Sequence, residues 1–162
     1  MGYPIFPGED ETDQISLIME VCGIPQPEVL AKGQRKTKFF NENNMPKLVP
    51  NSHGKVRKPG TKVLDDILDC SDQSFVNFVE RCLEWDPDKR MTPDEAIRHQ
   101  WILEGLPPKV LVHHQKLHNI TTKSLPPHIR EQRAEYLASQ PLDVQEEFRD
   151  EDEEYDEASQ SS

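Results

Sequence analysis

The sequence predicts a mainly α-helical fold that is followed by a largely disordered acidic tail. Two stretches, residues 10–25 and 71–84, carry apolar side chains at helical spacing between start and stop signals. The net charge of −11 is concentrated at the end, because residues 143–162 contain ten acidic residues and one arginine. With 34% hydrophobic residues and 14 prolines, we expect about two thirds of the chain to be ordered.

The first elements are a loop and a helix. Residues 2–8 (GYPIFPG) predict a fixed loop, because two prolines and two glycines surround bulky apolar side chains. A helix is predicted over residues 10–22, with Asp10 or Thr12 as its N-cap and Gly23 as its stop. Its apolar face consists of Ile15, Ile18, Met19 and Cys22.

Residues 26–70 form a long irregular insert. Short helices are predicted near residues 27–33 and 63–68, and the polar stretch between them can close a loose hairpin around Asn51 and Gly54. At about 45 residues the insert is longer than an ordinary connection, and connections of that length are usually functional or disordered.

The clearest pattern predicts a helix over residues 71–84. Ser71 can cap its start, and Asp86-Pro87 ends it, because the residue before a proline is pushed out of helical geometry. The predicted apolar face consists of Phe75, Phe78, Val79, Cys82 and Leu83.

A second short helix is predicted over residues 93–99. Thr92-Pro93-Asp94-Glu95 is a capping box with proline at the first helical position, and Trp101 follows just past the end. Beyond it the domain organisation is predicted as residues 1–102, a proline-containing extension over 103–142 with one possible helix at 128–139, and the tail.

Several classes of protein are disfavoured. Cys22, Cys70 and Cys82 have no metal-ligand spacing and indicate reduced cysteines that act as small hydrophobic side chains in an intracellular protein. No apolar run approaches the ~20 residues of a membrane span, so we expect a cytoplasmic or nuclear location without a membrane partner. An acidic tail repels nucleic acid, and no nucleic-acid partner is expected.

Residues 82–101, CLEWDPDKRMTPDEAIRHQW, resemble the end of the catalytic domain of eukaryotic protein kinases. In those kinases a DPxxRxT turn joins two helices, and a histidine and a tryptophan close the second. Residues 2–25 resemble the loop and seventh helix of the CMGC group. The insert is similar to that of the class II dual-specificity tyrosine-phosphorylation-regulated kinases. The resemblance covers residues 2–102 and implies the outer helices and CMGC insert of the C-terminal, or large, lobe.

The resemblance implies ATP and Mg²⁺ as cofactors of an intact kinase. Such enzymes use a Gly-rich loop, a strand lysine, a catalytic-loop aspartate and a DFG aspartate, and no GxGxxG, HRD or DFG motif occurs in the 162 residues. We therefore predict no catalytic, cofactor-binding or metal-binding residue in this chain, and no phosphoryl transfer by the chain alone.

Four residues are implied as structural anchors: Arg90, Asp86, Trp85 and Trp101. In the kinases, the arginine at the position of Arg90 is one half of a buried ion pair with the glutamate of an APE or SPE motif, and neither motif occurs here. Removing one partner of a buried pair typically costs ~3–5 kcal/mol. We therefore expect the chain to be a clipped part of a kinase that is molten or aggregates when isolated.

The resemblance also implies a docking surface. The family's seventh helix often binds proteins, which makes Ile15, Ile18 and Met19 candidate contacts with substrates or regulators, although ordinary core packing explains the same pattern. The alternative function is that of a non-catalytic truncated isoform that acts as a protein-binding module through this helix and the insert.

Overall fold

The computed structural model describes residues 3–149 of the chain, and these residues fall into two compact units, with the division between Thr92 and Pro93. The described elements are helical and include no β-strand, which confirms the predicted mainly α fold. The helices of the first unit are α1 (Glu11–Cys22), α2 (Pro27–Lys32), α3 (Lys36–Phe39), α4 (Leu64–Leu68) and α5 (Gln73–Cys82). Those of the second are α6 (Pro93–Ala96), α7 (Gln100–Gly105), α8 (Pro108–His118), a 3-10 helix (Thr122–Ser124), α9 (Pro127–Ala138) and α10 (Leu142–Glu147).

Helix α1 begins and ends where its sequence signals predict. The Asp10 carboxylate accepts the backbone N–H groups of Thr12 and Asp13, each at 2.8 Å. Gly23 adopts a φ of 71° just past the last turn, a value that favours glycine. Both ends are therefore fixed by local chemistry.

The core of the first unit lies between α1 and the insert. Its buried side chains are Met19, Leu30 and Phe40, with Ile15, Phe39 and Trp85 packed against them. The predicted hairpin is present only as a turn, in which the Asn51 N–H donates to the Lys55 carbonyl at 3.0 Å. The nearest approach to strand pairing in the described insert is one isolated bridge between Phe40 and Pro46.

The start of α5 differs from the prediction. Asp72, not Ser71, caps the helix, because its carboxylate accepts the N–H groups of Ser74 and Phe75 at 3.0 and 3.2 Å. The buried position is Val76, whereas Cys82, assigned to the apolar face, is exposed. The other predicted members of that face, Phe75, Phe78, Val79 and Leu83, are half-buried.

The helix predicted over residues 93–99 is divided in two. Helix α6 ends at Ala96, and His99 takes an extended backbone conformation that starts α7. The Nδ1 atom of His99 accepts the N–H of Trp101 at 3.3 Å, which places Trp101 inside the first turn of α7 instead of beyond a helix end. A histidine that caps a new helix therefore replaces the predicted continuation.

The second unit has its own core beyond residue 102. It consists of Leu103, Leu111, Ile120, Leu125 and Ile129. The extension over 103–142, for which the sequence predicts one possible helix, also contains α8. The possible helix at 128–139 is confirmed as α9. No helix in the described part of the chain is long and apolar enough to cross a membrane.

The first residues of the predicted acidic coil are helical. Helix α10 covers Leu142–Glu147, and Phe148 after it is only 6% exposed. Arg133 fastens this end of the helix, because its Nη2 donates to the Phe148 carbonyl at 2.7 Å. The remainder of the predicted tail, 150–162, lies outside the described residues.

Candidate functional site

The kinase-like turn after α5 is closed by Arg90. Its Nε donates to the Glu84 carbonyl at 2.8 Å, and its Nη2 donates to the Trp85 carbonyl at 3.2 Å. The Arg90 backbone N–H donates to the Asp86 carbonyl at 2.8 Å. One side chain therefore ties together both ends of the turn.

Asp86 and Met91 hold the turn against α5. The Asp86 carboxylate accepts the N–H of Asp88 at 3.1 Å and lies 3.6 Å from the Lys89 ammonium. The Met91 N–H donates to the Arg81 carbonyl at 3.1 Å, and the Met91 side chain is 7% exposed. Together these contacts keep the proline-containing turn in one conformation.

Trp85 connects this turn to the end of α1. The indole Nε1 donates to the carbonyl of Gly23 at 3.2 Å, and the ring packs against the core of the first unit. Tryptophan suits this position because it fills apolar space and satisfies one backbone acceptor. Trp101, the fourth predicted anchor, lies half-buried in the second unit.

The environment of Arg90 differs from that of a buried ion pair. Its side chain is exposed, and its two acceptors are neutral carbonyls. Within residues 3–149, no carboxylate forms an ion pair with it. The site is therefore a fixed guanidinium at the surface, and the anchor roles of Arg90, Asp86, Trp85 and Trp101 stay predictions.

The three candidate docking residues have different surroundings. Met19 is 2% exposed and belongs to the core with Leu30 and Phe40. Ile15 packs against the same core and is half-buried, as is Ile18. The structure thus assigns Met19 a packing role, while docking by this helix stays a prediction.

An ionic cluster that sequence analysis missed binds the insert to α1. Arg57 donates from Nε to Asp13 at 2.7 Å and from Nη1 to Glu20 at 3.1 Å. The Arg57 side chain is 11% exposed and both carboxylates are 5% exposed. The hydrogen bond from Arg57 holds the pKa of Asp13 below its ordinary value. The only signal in the sequence is the basic run Lys55–Lys58, and this run does not indicate which acidic residues it contacts.

A second ion pair joins α1 to α3 at the surface. The Arg35 guanidinium donates two hydrogen bonds to the Glu11 carboxylate, at 2.8 and 2.6 Å, and the Lys38 ammonium contacts the same group. Hydrogen bonds from Arg35 and then Lys38 lower the pKa of Glu11 from 4.5 to about 2. The start of α1 is therefore held by two sets of cations, Arg57 at Asp13, and Arg35 with Lys38 at Glu11.

The described residues do not fit a magnesium–ATP site. No group of three or more His, Cys, Asp and Glu side chains converges to hold a metal among residues 3–149. His113 and His114 engage the backbone carbonyls of Lys109 and Ile97 instead, at 2.7 and 2.8 Å. Phosphoryl transfer requires cations and metal ligands that converge on a triphosphate, and residues 3–149 bring no such set of metal ligands together.

Comparison with known proteins finds relatives that are similar in sequence to part of this chain. Over 101 residues, 62% of its length, the chain is 46% identical to dual specificity tyrosine-phosphorylation-regulated kinase 2 of Drosophila melanogaster. It is 46% identical over 101 residues to dual specificity tyrosine-phosphorylation-regulated kinase 4 of Homo sapiens, and 43% identical to the DYRK-family kinase pom1 of Schizosaccharomyces pombe. The chain spans 14%, 19% and 9% of the lengths of these three relatives. A scan of protein-family models finds no match.

The class that these relatives define is that of the protein kinases. More narrowly, the chain is homologous to a part of the dual-specificity tyrosine-phosphorylation-regulated kinases, which confirms the family resemblance over 101 residues. The insert pattern predicts the fourth member of that family as the nearest relative. The second member from fly and the fourth from human are equally identical, so identity does not separate them.

Proposed function

We propose that this chain is part of an ATP-dependent dual-specificity protein kinase, in which it supplies the outer helices and insert of the large lobe. The intact enzyme transfers the γ-phosphate of ATP to serine, threonine and tyrosine hydroxyls of proteins. ATP and Mg²⁺ bind to other parts of that enzyme, because the 162 residues contain no motif for either. The chain alone is inactive.

The observation that supports this proposal most directly is the environment of Arg90, an exposed side chain whose two acceptors are neutral carbonyls. A guanidinium that two carbonyls hold at the surface is preorganised to receive a carboxylate in a charge-assisted pair. In the kinases that the sequence resembles, the partner is the glutamate that closes the activation segment. We therefore propose that Arg90 pairs with a glutamate outside this chain, and that Asp86, Trp85 and Trp101 hold the surrounding helices for that contact.

A phosphotransfer assay tests the inactivity of the chain. The purified chain is incubated with labelled ATP, Mg²⁺ and a generic protein substrate, and we expect no label above the protein-free blank. Phosphate transfer above that blank that persists after further purification would contradict the proposal.

A peptide titration tests the role of Arg90. A synthetic activation-segment peptide that ends in Ser-Pro-Glu is added to the chain, with the C-terminus amidated in this peptide and in its control, and the Arg90 side-chain N–H resonance is followed by NMR. The matched control ends in Ser-Pro-Gln. We expect a larger shift with the glutamate peptide, because only a carboxylate adds a charge-assisted hydrogen bond. Equal shifts with both peptides would show that Arg90 does not distinguish a carboxylate from an amide, and would contradict the proposed pairing with a glutamate.

The second candidate function is a non-catalytic binding module. Its support is a set of exposed apolar side chains in the insert, Met45, Leu48 and Val49, which are 52%, 46% and 52% exposed. Such a module binds protein substrates or regulators of the parent kinase through the insert and α1, with the half-buried Ile15 and Ile18 as candidate contacts, whereas Met19 is buried in the core. We propose a cytoplasmic or nuclear location for this module. We propose neither a nucleic-acid partner nor a membrane partner for it.

Reading the genomic sequence upstream of Met1 separates the two functions. An open frame that continues through an activation segment ending in SPE and an apolar helix supports a part of a larger kinase. A stop codon directly upstream, together with a transcript that starts at Met1, supports the binding module.

A further inference from the structure

A cleft of about 350 Å³ opens in the first unit, where the end of α1, the start of α4 and the last turn of α5 come together. We call this space the α1–α5 cleft. Its volume lies at the small end of ligand pockets, which span ~300–1,000 Å³. Its apolar wall includes Val21, Leu64, Leu83 and Trp85. Neither the sequence motifs nor the kinase similarity assigns the cleft a role.

The apolar wall of the cleft is held in place by contacts outside it. Leu64 is only 4% exposed, at the first position of α4. The Trp85 indole N–H already donates to the Gly23 carbonyl at 3.2 Å. Because that group is the only polar hydrogen of the indole, the ring offers a ligand apolar surface and an aromatic face.

Two carboxylates line the cleft beside this wall. Glu84 is half-buried, and its Oε1 accepts the N–H of Asp86 at 3.1 Å, whereas Glu80 is exposed. Within residues 3–149, neither Glu80 nor Glu84 forms an ion pair. Lys62 also lines the cleft, but its ammonium lies 3.2 Å from the carboxylate of Glu20, which neutralises it. The cleft therefore has two acids without a cation.

Both carboxylates act on the same point of the cleft, the thiol of Cys22. Burial raises the pKa of this thiol, and the charges of Glu84 and Glu80 raise it further. The thiol therefore stays protonated at pH 7 and carries no charge of its own. The negative charge of the cleft is thus concentrated on the two glutamates, next to the apolar wall.

We propose that the α1–α5 cleft binds an organic ammonium, which is a primary ammonium group on a short apolar stem. The ammonium has three N–H donors, and its hydrogen bonds to carboxylates are charge-assisted. The stem packs against Leu64 and Leu83, and the face of Trp85 attracts a cation as well as an apolar group. An anion is disfavoured because it meets two carboxylates at the same place.

Calorimetric titration of the whole 162-residue chain tests the site. Phenethylamine is the probe, and phenethyl alcohol is the neutral control of nearly the same shape. Both are measured at one ionic strength so that screening is constant. We expect the amine to bind about tenfold more tightly, the gain from one charge-assisted hydrogen bond. Equal affinities would overturn the assignment to an ammonium, and absence of binding by both compounds would overturn the site.

Glutamine variants remove the charges and keep the shape of the cleft. Glu84→Gln retains an oxygen that accepts the Asp86 N–H, and it is expected to weaken phenethylamine binding by about tenfold. A smaller loss is expected for Glu80→Gln, because water screens an exposed charge. Glu28→Gln, which removes an exposed acid of α2 outside the cleft, is the matched control. Unchanged affinity in Glu84→Gln, or an equal loss in Glu28→Gln, would contradict the proposal.

Methyl NMR of the same chain tests the location of the bound amine. The methyl resonances of Leu64 and Leu83 are expected to shift saturably with phenethylamine, because both side chains line the cleft. Those of Leu111, in the core of the second unit, are expected to stay in place. Shifts at Leu111 without shifts at Leu64 and Leu83 would overturn the assignment to this cleft.

The same ammonium chemistry occurs in free amines and in the lysine side chains of proteins. A Leu-Lys-Leu peptide with both ends capped therefore completes the titration. Tighter binding of the peptide than of phenethylamine supports a protein source, and binding of phenethylamine at least as tight as that of the peptide supports a small-molecule source. Loss of either interaction in Glu84→Gln assigns it to the cleft.

Discussion

The guanidinium of Arg57 reaches the carboxylate of Asp13 across 44 residues of sequence, with 2.7 Å between Nε and Oδ1. Asp13 lies in the first turns of α1, and Arg57 lies in the insert, which is otherwise irregular. Glu20, about two turns further along the same face of α1, accepts from the same guanidinium at 3.1 Å. The conformation of the insert therefore depends on one buried cation and two acids of the helix that it covers.

We predict that Arg57→Met destabilises the chain by ~3–5 kcal/mol, because it leaves the Asp13 carboxylate buried without a cation and leaves Glu20 only the Lys62 ammonium, at 3.2 Å. Lys55→Met, an exposed position two residues away, is the control and is expected to change stability by less than ~0.5 kcal/mol. Urea unfolding followed by far-UV circular dichroism measures both. A similar midpoint for Arg57→Met and the parent chain would contradict the anchoring role.

A second prediction concerns the pH dependence of Glu11. Its pKa is lowered from 4.5 to about 2, first by hydrogen bonds from Arg35 and then by those from Lys38. Because the folded pKa is depressed, the stabilisation is complete above pH 4.5 and is lost as the pH falls through about 2. An NMR titration of the Glu11 carboxyl carbon checks the midpoint.

Substitution of the cations provides the control for that titration. In Arg35→Gln the Glu11 midpoint is expected to rise toward its ordinary value, whereas in Lys32→Gln it is expected to stay low, because Lys32 contacts Asp88 instead. A midpoint near 4.5 in the parent chain would show that the ion pair does not form.

The third prediction is that Arg90→Ala changes the stability of this chain by only ~1 kcal/mol. The substitution removes hydrogen bonds to two carbonyls at an exposed position, and it leaves no buried acid behind in the described residues. Thermal unfolding of the variant and the parent chain gives the difference. A loss as large as ~3–5 kcal/mol would mean that Arg90 has a buried partner within the chain.

The fourth prediction concerns the apolar surface of α5. Only Val76 is buried on this helix, whereas Phe75, Phe78 and Val79 are half-buried. We therefore expect the isolated chain to bind the dye ANS and to unfold over a broad temperature range, as loosely packed proteins do. A sharp transition without dye binding would indicate that the chain packs this face well by itself.

Helix ends were predictable where one nearby side chain or a glycine decides them. Asp10 and Gly23 define α1 from within a few residues, and Pro93 starts α6 as expected. Errors arose where two neighbouring residues were both capable caps, as with Ser71 and Asp72, or where His99 ended one helix by capping the next. Local chemistry permits both outcomes there, and packing selects one.

The elements missed by sequence analysis depend on distant partners. Helix α10 lies in an acidic stretch, yet the side chain of Phe148 after it is buried, and Arg133, 15 residues earlier, donates to the Phe148 carbonyl. The Arg57 cluster depends in the same way on α1. The motif predicted the candidate turn and Arg90 within it, but it did not predict that Arg90 is exposed. A motif specifies the residue at a position and does not specify which partner is present beside it.

The indole of Trp85, held by the Gly23 carbonyl, has a practical consequence. The chain contains two tryptophans, and one lies in each compact unit, Trp85 in the first and Trp101 in the second. A Trp101→Phe variant therefore fluoresces from the first unit alone, and a Trp85→Phe variant from the second. Intrinsic emission can thus show whether the two compact units melt together or one after the other.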